Sequence, residues 1–288
     1  MTAEPSSGQN FAHIDKILAN WRQGDCVLGS QWFVYRISPD WPVTATSQSA
    51  VSQDATAELP EQEVAGLVVV TQTCDIVRGC TERPYIEVCP LVAVDDQKLE
   101  DIEKGRRPSY VHIPMLMRQK LVADLDRTMT VEKPVLAKWE RVPGWNSDEE
   151  ARSFARALAR KRARFAFPDA FTEYVDPLRK RLSKKHDKGT PEGDALRALR
   201  EIRVQASPSW DSPSVALTFW FIRLDDDFEH QGRDWSSWLK SWLDLMPKSD
   251  KFEVYGQVST LEGLTAADYV SSDALDLDHL SSRIVKNG

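Results

Sequence analysis

Apolar positions change their rhythm twice along this chain. Phe11, Ile14, Ile17, Leu18 and Trp21 recur at intervals of three and four, the spacing of one helical face, and predict a short opening helix over 11–21. Two short apolar runs follow, 26–28 and 32–37, separated by Gly29 and Ser30, which predicts strand, turn, strand. Residues 44–63 hold Ser, Thr, Gln and Ala without an aromatic residue and predict a mobile surface loop. Two further strands are predicted over 66–72 and 85–91, joined through the turn-prone Arg78, Gly79 and Cys80. Pro114 confines the segment YVHIPMLM to a sheet edge or an extended stretch.

Beyond residue 146 the spacing becomes helical. Ser147 with Glu150 reads as a capping box, and Phe154, Leu158 and Phe165 share a face, predicting a helix over 148–166 that Pro168 ends. Asp176 with Pro177 and Thr190 with Pro191 look like cap and first helical position for helices over 177–187 and 191–204. After the linker SPSWDSP, residues 215–223 (VALTFWFIR) are apolar on both alternating faces, as in a central strand. Asp234 caps a helix carrying Trp235, Trp238, Leu239, Trp242, Leu245 and Met246 on one face, with Pro247 as its stop. Residues 252–259 return as a strand, and Thr265 opens a last short helix. Strand, helix, strand implies a crossover onto one sheet. The expected architecture is α+β. Residues 1–146 form a β-rich half like an SH3-like or partly open barrel, 147–206 a basic helical insertion, and 207–288 a strand-helix-strand unit completing the sheet.

Composition supports a folded globular chain, with 41% hydrophobic and 28% charged residues. The start, MTAEPSSGQN, lacks the basic and apolar stretches of a signal peptide, and the longest apolar runs are too short to span a bilayer, so the expected location is the cytoplasm and no membrane partner is expected. The net charge of −7 argues against a chain that coats nucleic acid along its whole surface. Its distribution is uneven. Residues 152–203 hold fifteen Lys and Arg against seven acids, a net of +8 that leaves −15 for the remainder. Arg152, Arg156, Arg160 and Arg164 recur every four residues as a stripe opposite Phe154, Leu158 and Phe165, and Lys161 widens it together with Arg162. Arg179, Lys180, Arg181, Lys184 and Lys185 follow on the next helix. Such a surface can neutralise phosphates or dock an acidic protein, a second copy of the chain included; it can equally be a solvated face balanced by acids elsewhere. Trp139 and Trp145 flank it, placed to stack on bases.

Four cysteines are too few for a disulfide scaffold. Cys74, in LVVVTQTCDI, is the candidate nucleophile, with Gln72 and Asp75 beside it and His112 as the nearest histidine in sequence; His13 is the other. Asp75 alone is a poor base, since a neighbouring carboxylate disfavours thiolate. The competing reading packs Cys74 at the strand end, with Asp75 capping the next turn. A zinc site is not expected, because Cys74, Cys80 and Cys89 lack the close pairing of structural ligands. A metal-dependent nuclease built on Asp225, Asp226, Asp227 and Glu253 lacks a lysine two positions after Glu253, where Tyr255 stands. No metal or cofactor is expected.

GLVVVTQTCDI resembles a motif in a large group of bacterial and phage-associated proteins: a hydrophobic strand, Ser or Thr, Gln or His, a polar residue, Cys, an acid and an aliphatic, here Thr71 to Ile76. RFAFPDAF and YVSSDALDLDHL look like further parts of it. Many members carry His where this chain has Gln72. GDCVLG, GLVVVTQT and PYIEVCPLV are also similar in strand order to the PemK/MazF-type toxin barrel, an SH3-like fold that cleaves RNA in several families. The resemblances imply a cytoplasmic interaction protein, an accessory of a phage-defence or mobile-element system, with a Cys74-centred, RNA-directed toxin-like nuclease as the alternative.

Overall fold

The computed structural model describes residues 11–103, 107–163, 165–186 and 188–275, in two compact units that divide between Ala163 and Arg164. The class is α+β, as the rhythm of apolar positions predicts. The boundary falls inside the stretch expected as one insertion. Its first helix buries Phe154 and Leu158 in the core of the first unit, and its later residues build the second. No helix among the described residues is long and apolar enough to cross a membrane.

The first unit runs α1 (Ala12–Leu18), β1 (Cys26–Val34), α2 (Ala45–Gln53), β2 (Glu61–Val69), α3 (Thr73–Ile76), β3 (Tyr85–Ala93), α4 (Asp96–Glu103), β4 (Tyr110–His112), a 3-10 turn (Pro114–Gln119), β5 (Leu121–Asp124), β6 (Met129–Glu132), α5 (Lys133–Leu136) and α6 (Asp148–Arg162). Its antiparallel sheet is ordered β1-β2-β3-β5-β4, and β6 pairs the first half of β3. The end strands β1 and β4 do not pair, so among the described residues the sheet stays open rather than closing as an SH3-like barrel. Leu67 and Val69 of β2 enter one core with Trp21, Phe33, Ile76 and Ile86, covered by α1 and α5. Val68 and the following Val70 enter another with Leu91, Val111, Phe154 and Leu158, covered by α6. Burial on both faces explains the unbroken apolar run. It contributes about 1.5–3 kcal/mol per side chain.

Two expectations change here. Gly29 and Ser30 do not form a turn: β1 runs through them with a register shift between Leu28 and Gln31, and Gly29 takes φ +93°, the bulge conformation that only glycine adopts without strain. Residues 44–63 are ordered as α2 and the start of β2. Thr44 and Ser47 exchange capping hydrogen bonds at the head of a helix with almost no apolar face, hence without the periodicity that would reveal it.

The second unit runs α7 (Asp169–His186), α8 (Pro191–Arg197), β7 (Leu199–Ser207), β8 (Val215–Arg223), β9 (Glu229–His230), β10 (Arg233–Asp234), α9 (Trp235–Leu243), β11 (Phe252–Thr260), α10 (Ala266–Val270) and β12 (Asp273–Ala274). Its main sheet is ordered β11-β8-β7-β12, with β11 parallel to the central β8. The crossover is α9, which lies against Gly256 so closely that a Cβ there would come within 2.7 Å of Leu243. The predicted helix over 191–204 stops early, because Ile202 and Val204 alternate into the core as part of β7. Pro177 does not begin a helix but sits inside α7. The apolar face of Phe171, Val175, Leu178 and Leu182 runs through it, and burying those side chains outweighs the roughly 3 kcal/mol that an internal proline costs.

Asp234 caps α9. Its carboxylate accepts from the Ser236 hydroxyl, from the Ser237 hydroxyl (2.7 Å) and from the Ser237 N–H (2.8 Å), bonds that lower its pKa from 3.8 to about 2. Asp176 is also lowered, by hydrogen bonds from Lys180 and Arg179. Native carboxylates of depressed pKa stabilise the fold fully above the unfolded value and lose that contribution as pH falls through the folded one. Urea unfolding followed from pH 6 to pH 2 is expected to show midpoints that drop once pH passes below about 4. Asp234→Ala is expected to lower the midpoint at pH 6 and flatten that acid limb.

Candidate functional site

The polar end of LVVVTQTCDI is fixed before it meets solvent. The Val70 N–H donates to the Glu87 carbonyl (3.0 Å), and Thr71 Oγ1 accepts from the Glu87 N–H (2.6 Å). Thr73 Oγ1 accepts from the Gln23 N–H (3.1 Å), while Gln23 Nε2 donates to the Val70 carbonyl (2.8 Å). The Gln23 loop is pinned in turn. Trp145 Nε1 donates to the Gln23 carbonyl (2.8 Å), and buried Asp25 accepts from the Arg22 N–H (2.7 Å) and Arg141 Nε (2.5 Å). Both threonines and Trp145 are therefore occupied structurally, and Trp145 is not free to stack on a base.

Under the next turn lies a fully buried lysine. Lys133 Nζ donates to the carbonyls of Asp75 (2.9 Å) and Arg78 (2.5 Å), making a ledge of 75–78. Burial lowers its pKa although Cys80, Asp15, Asp75 and Glu82 favour its charge. Cys80 is buried beside it. Its N–H donates to Asp15 Oδ1 (2.9 Å), and burial with the Asp15 carboxylate pushes its thiol up to about 11. On the outer side of the ledge, Asp75 Oδ1 lies 3.8 Å from Arg83 Nε and 4.0 Å from Arg78 Nη1.

The ledge, the start of β3 and α6 enclose a cleft of about 890 Å3. Gln72, Asp75 and Arg83 line one side, Tyr85, Glu87 and Thr130 another, and Ala155, Leu158, Ala159 and Arg162 of α6 the third. The helix is seated by Arg162 Nη1 on Glu87 Oε2 (2.9 Å) and by Lys161 Nζ on Asp126, with Ser109 Oγ at 3.4 Å. Tyr85 is 61% exposed, an aromatic ring at the rim.

The structure separates the expected catalytic residues. Gln72 and Asp75 line the cleft. Cys74 is exposed rather than packed, because α3 turns Ile76 inward instead, and its thiol meets Gln72 Oε1 at 3.6 Å. His112 lies on β4 in a second cleft of about 390 Å3 with Tyr110, Glu149, Glu150, Arg156 and Arg160. No histidine or cation hydrogen-bonds the Cys74 sulfur among the described residues, so a Cys/His pair with His112 is not formed. Asp75 does not cap the turn by its side chain; its carbonyl serves Lys133. The remaining thiols are buried: burial and Asp25 raise Cys26, and burial brings Cys89 to about 11. Among the described residues no group of three or more His, Cys, Asp or Glu is placed to hold a metal. The acids after β8 are tied down locally, Arg223 reaching Asp226 Oδ1 (3.0 Å) and the Asp227 carbonyl.

The arginine stripe is redistributed as well. Lys161 and Arg162 serve to dock α6, Arg156 and Arg160 border the second cleft, and Arg152 pairs loosely with Asp148 (3.8 Å); Arg164 lies outside the described residues. In the second unit, Arg179 and Lys180 pair with Asp176 (2.6 Å each), and Arg181 grips Glu192 through two bonds (3.0 and 2.7 Å). Among the described residues Lys184 and Lys185, at the end of α7, have no carboxylate partner, nor do Lys188 and Arg200. Tyr85, Arg83 and Lys133 escaped the reading of the sequence. Nothing in EKPVLAKW distinguishes the buried lysine from the two exposed charges around it.

Comparison with family models, with curated proteins and with solved structures returns no match to this chain, so both resemblances rest on the residues quoted for them.

Under native conditions one thiol, Cys74, is expected to react with a disulfide reagent, and Cys26, Cys80 and Cys89 only after unfolding; a Cys74→Ser protein with a full native equivalent contradicts this placement. Lys133→Ala strands two buried carbonyls and is expected to cost about 2–4 kcal/mol in urea unfolding.

Proposed function

We propose that this chain is a nucleic-acid-binding protein that holds phosphates with the exposed end of α7. One observation carries the reading. Arg179, Lys180, Arg181 and Arg197 each have a carboxylate partner, whereas Lys184, Lys185, Lys188 and Arg200 have none among the described residues. Arg197 draws the segment of Lys184, Lys185 and Lys188 together, because its guanidinium donates to the carbonyls of His186 and of Lys188 (3.1 Å), placing the end of α8 beside the end of α7. Part of that charge complements the helix dipole. The remainder is an unneutralised patch of the kind that binds a polyanion. Binding is favoured over a Cys74-centred reaction, since among the described residues no base or cation hydrogen-bonds that sulfur. An accessory role in a cytoplasmic phage-defence or mobile-element system follows from the motif resemblance alone.

Fluorescence anisotropy with labelled mixed-sequence strands at 50 mM salt is expected to show binding that weakens as salt rises. Changing Lys184, Lys185 and Lys188 to Glu is expected to abolish it at moderate salt and to lower the slope of log K against log salt by about 2. Absence of binding at low salt, or binding that survives the three changes, sinks the reading. An acidic protein partner would then take its place.

A further inference from the structure

We propose that the cleft of the first unit is a guanine site, taking the base of a guanine nucleotide either free or within a single strand. It goes beyond the lysine patch, which belongs to the second unit, and either can fail without the other. Gln72 is the extended N-cap of α3 and Asp75 its third residue, and both line the cleft. Gln72 Oε1 already accepts the Cys74 thiol at 3.6 Å, so its Nε2 is the group left to donate. The Asp75 carboxylate accepts no hydrogen bond among the described residues, its nearest cations standing at 3.8 and 4.0 Å. The cleft thus offers two carboxylate acceptors, on a residue whose backbone Lys133 holds, and one amide donor.

The pairing edge of guanine is the complement of that set. Its N2–H and N1–H are adjacent donors that a carboxylate accepts together, and its O6 accepts from the amide. Uracil sets an oxygen against one carboxylate oxygen, adenine supplies one donor beside an acceptor, and cytosine offers two acceptors and one donor, so none of them presents two adjacent donors to both oxygens. The exposed Tyr85 ring supplies a stacking face. Val70, Ala155, Leu158 and Ala159 give the apolar floor, and the Arg83 guanidinium, 3.8 Å from Asp75 and without a side-chain hydrogen bond among the described residues, supplies a cation for phosphate. At about 890 Å3 the cleft is at the large end for a small-molecule site, with room for a neighbouring nucleotide of a strand.

Isothermal titration of the full chain with GMP, AMP, CMP and UMP, and with short single strands that do or do not contain guanine, tests this. Guanine is expected to bind at least about tenfold more tightly than the other bases. GMP binding identifies the free nucleotide as a source, and guanine preference confined to strands identifies the strand; both support the site. Asp75→Asn, checked for an unchanged unfolding midpoint, is expected to remove the preference. The Lys184, Lys185 and Lys188→Glu protein is expected to bind strands more weakly while keeping it. Equal binding of all bases, no binding in either form, or a preference that survives Asp75→Asn overturns the proposal.

Discussion

Leu67 and Val69 face one core and Val68 and Val70 the other, which leaves the end of β2 no solvated side on which to discharge polar groups. Everything at the end of that strand follows from this constraint. The backbone of Val70 and the hydroxyls of Thr71 and Thr73 must find partners inside the protein, and they find them in Glu87 and Gln23. Two threonines in the motif are thus explained by hydrogen-bond satisfaction. The next residues emerge together at one cleft because the preceding ones are fully committed.

The second unit answers the same constraint differently. The strand β8 is also buried on both faces, yet its sheet is covered by aromatic side chains, with Trp242 stacked on Phe221 at 5.1 Å and Phe171 edge-on to Trp210 at 4.8 Å. Aromatic pairs fill the large space between a helix and a sheet with few side chains. The polar work moves to the helix ends, where Asp234, Thr190 and Thr265 cap their helices.

Much of this was legible in the residues. Apolar spacing marks both central strands, the tryptophan helix and the crossover, because burial periodicity survives without tertiary knowledge. It failed at α2, which has no apolar face to display, at α7, where proline chemistry suggested a start that tertiary packing overrode, and at the end of α8, whose start at Thr190 and Pro191 holds but whose last turns are given to β7. The site was half visible. Gln72 and Asp75 stood in the motif, but Tyr85, Arg83 and Arg162 join them only through pairing of β3 with β2 and docking of α6. Helical periodicity put Lys161 and Arg162 on an open stripe because it reports which residues share a face, not what that face meets.

Lys133 carries a consequence for binding. Its ammonium has exchanged water for two carbonyls, and the ledge cannot lift away without leaving that ion unsolvated or opening the core around it. The backbone that carries Asp75 is therefore set in place when the chain folds, and a ligand at the proposed guanine site would meet it already arranged. Ordering entropy that a loop site surrenders on binding has here been spent earlier, so the recognition proposed above would require no movement of the ledge.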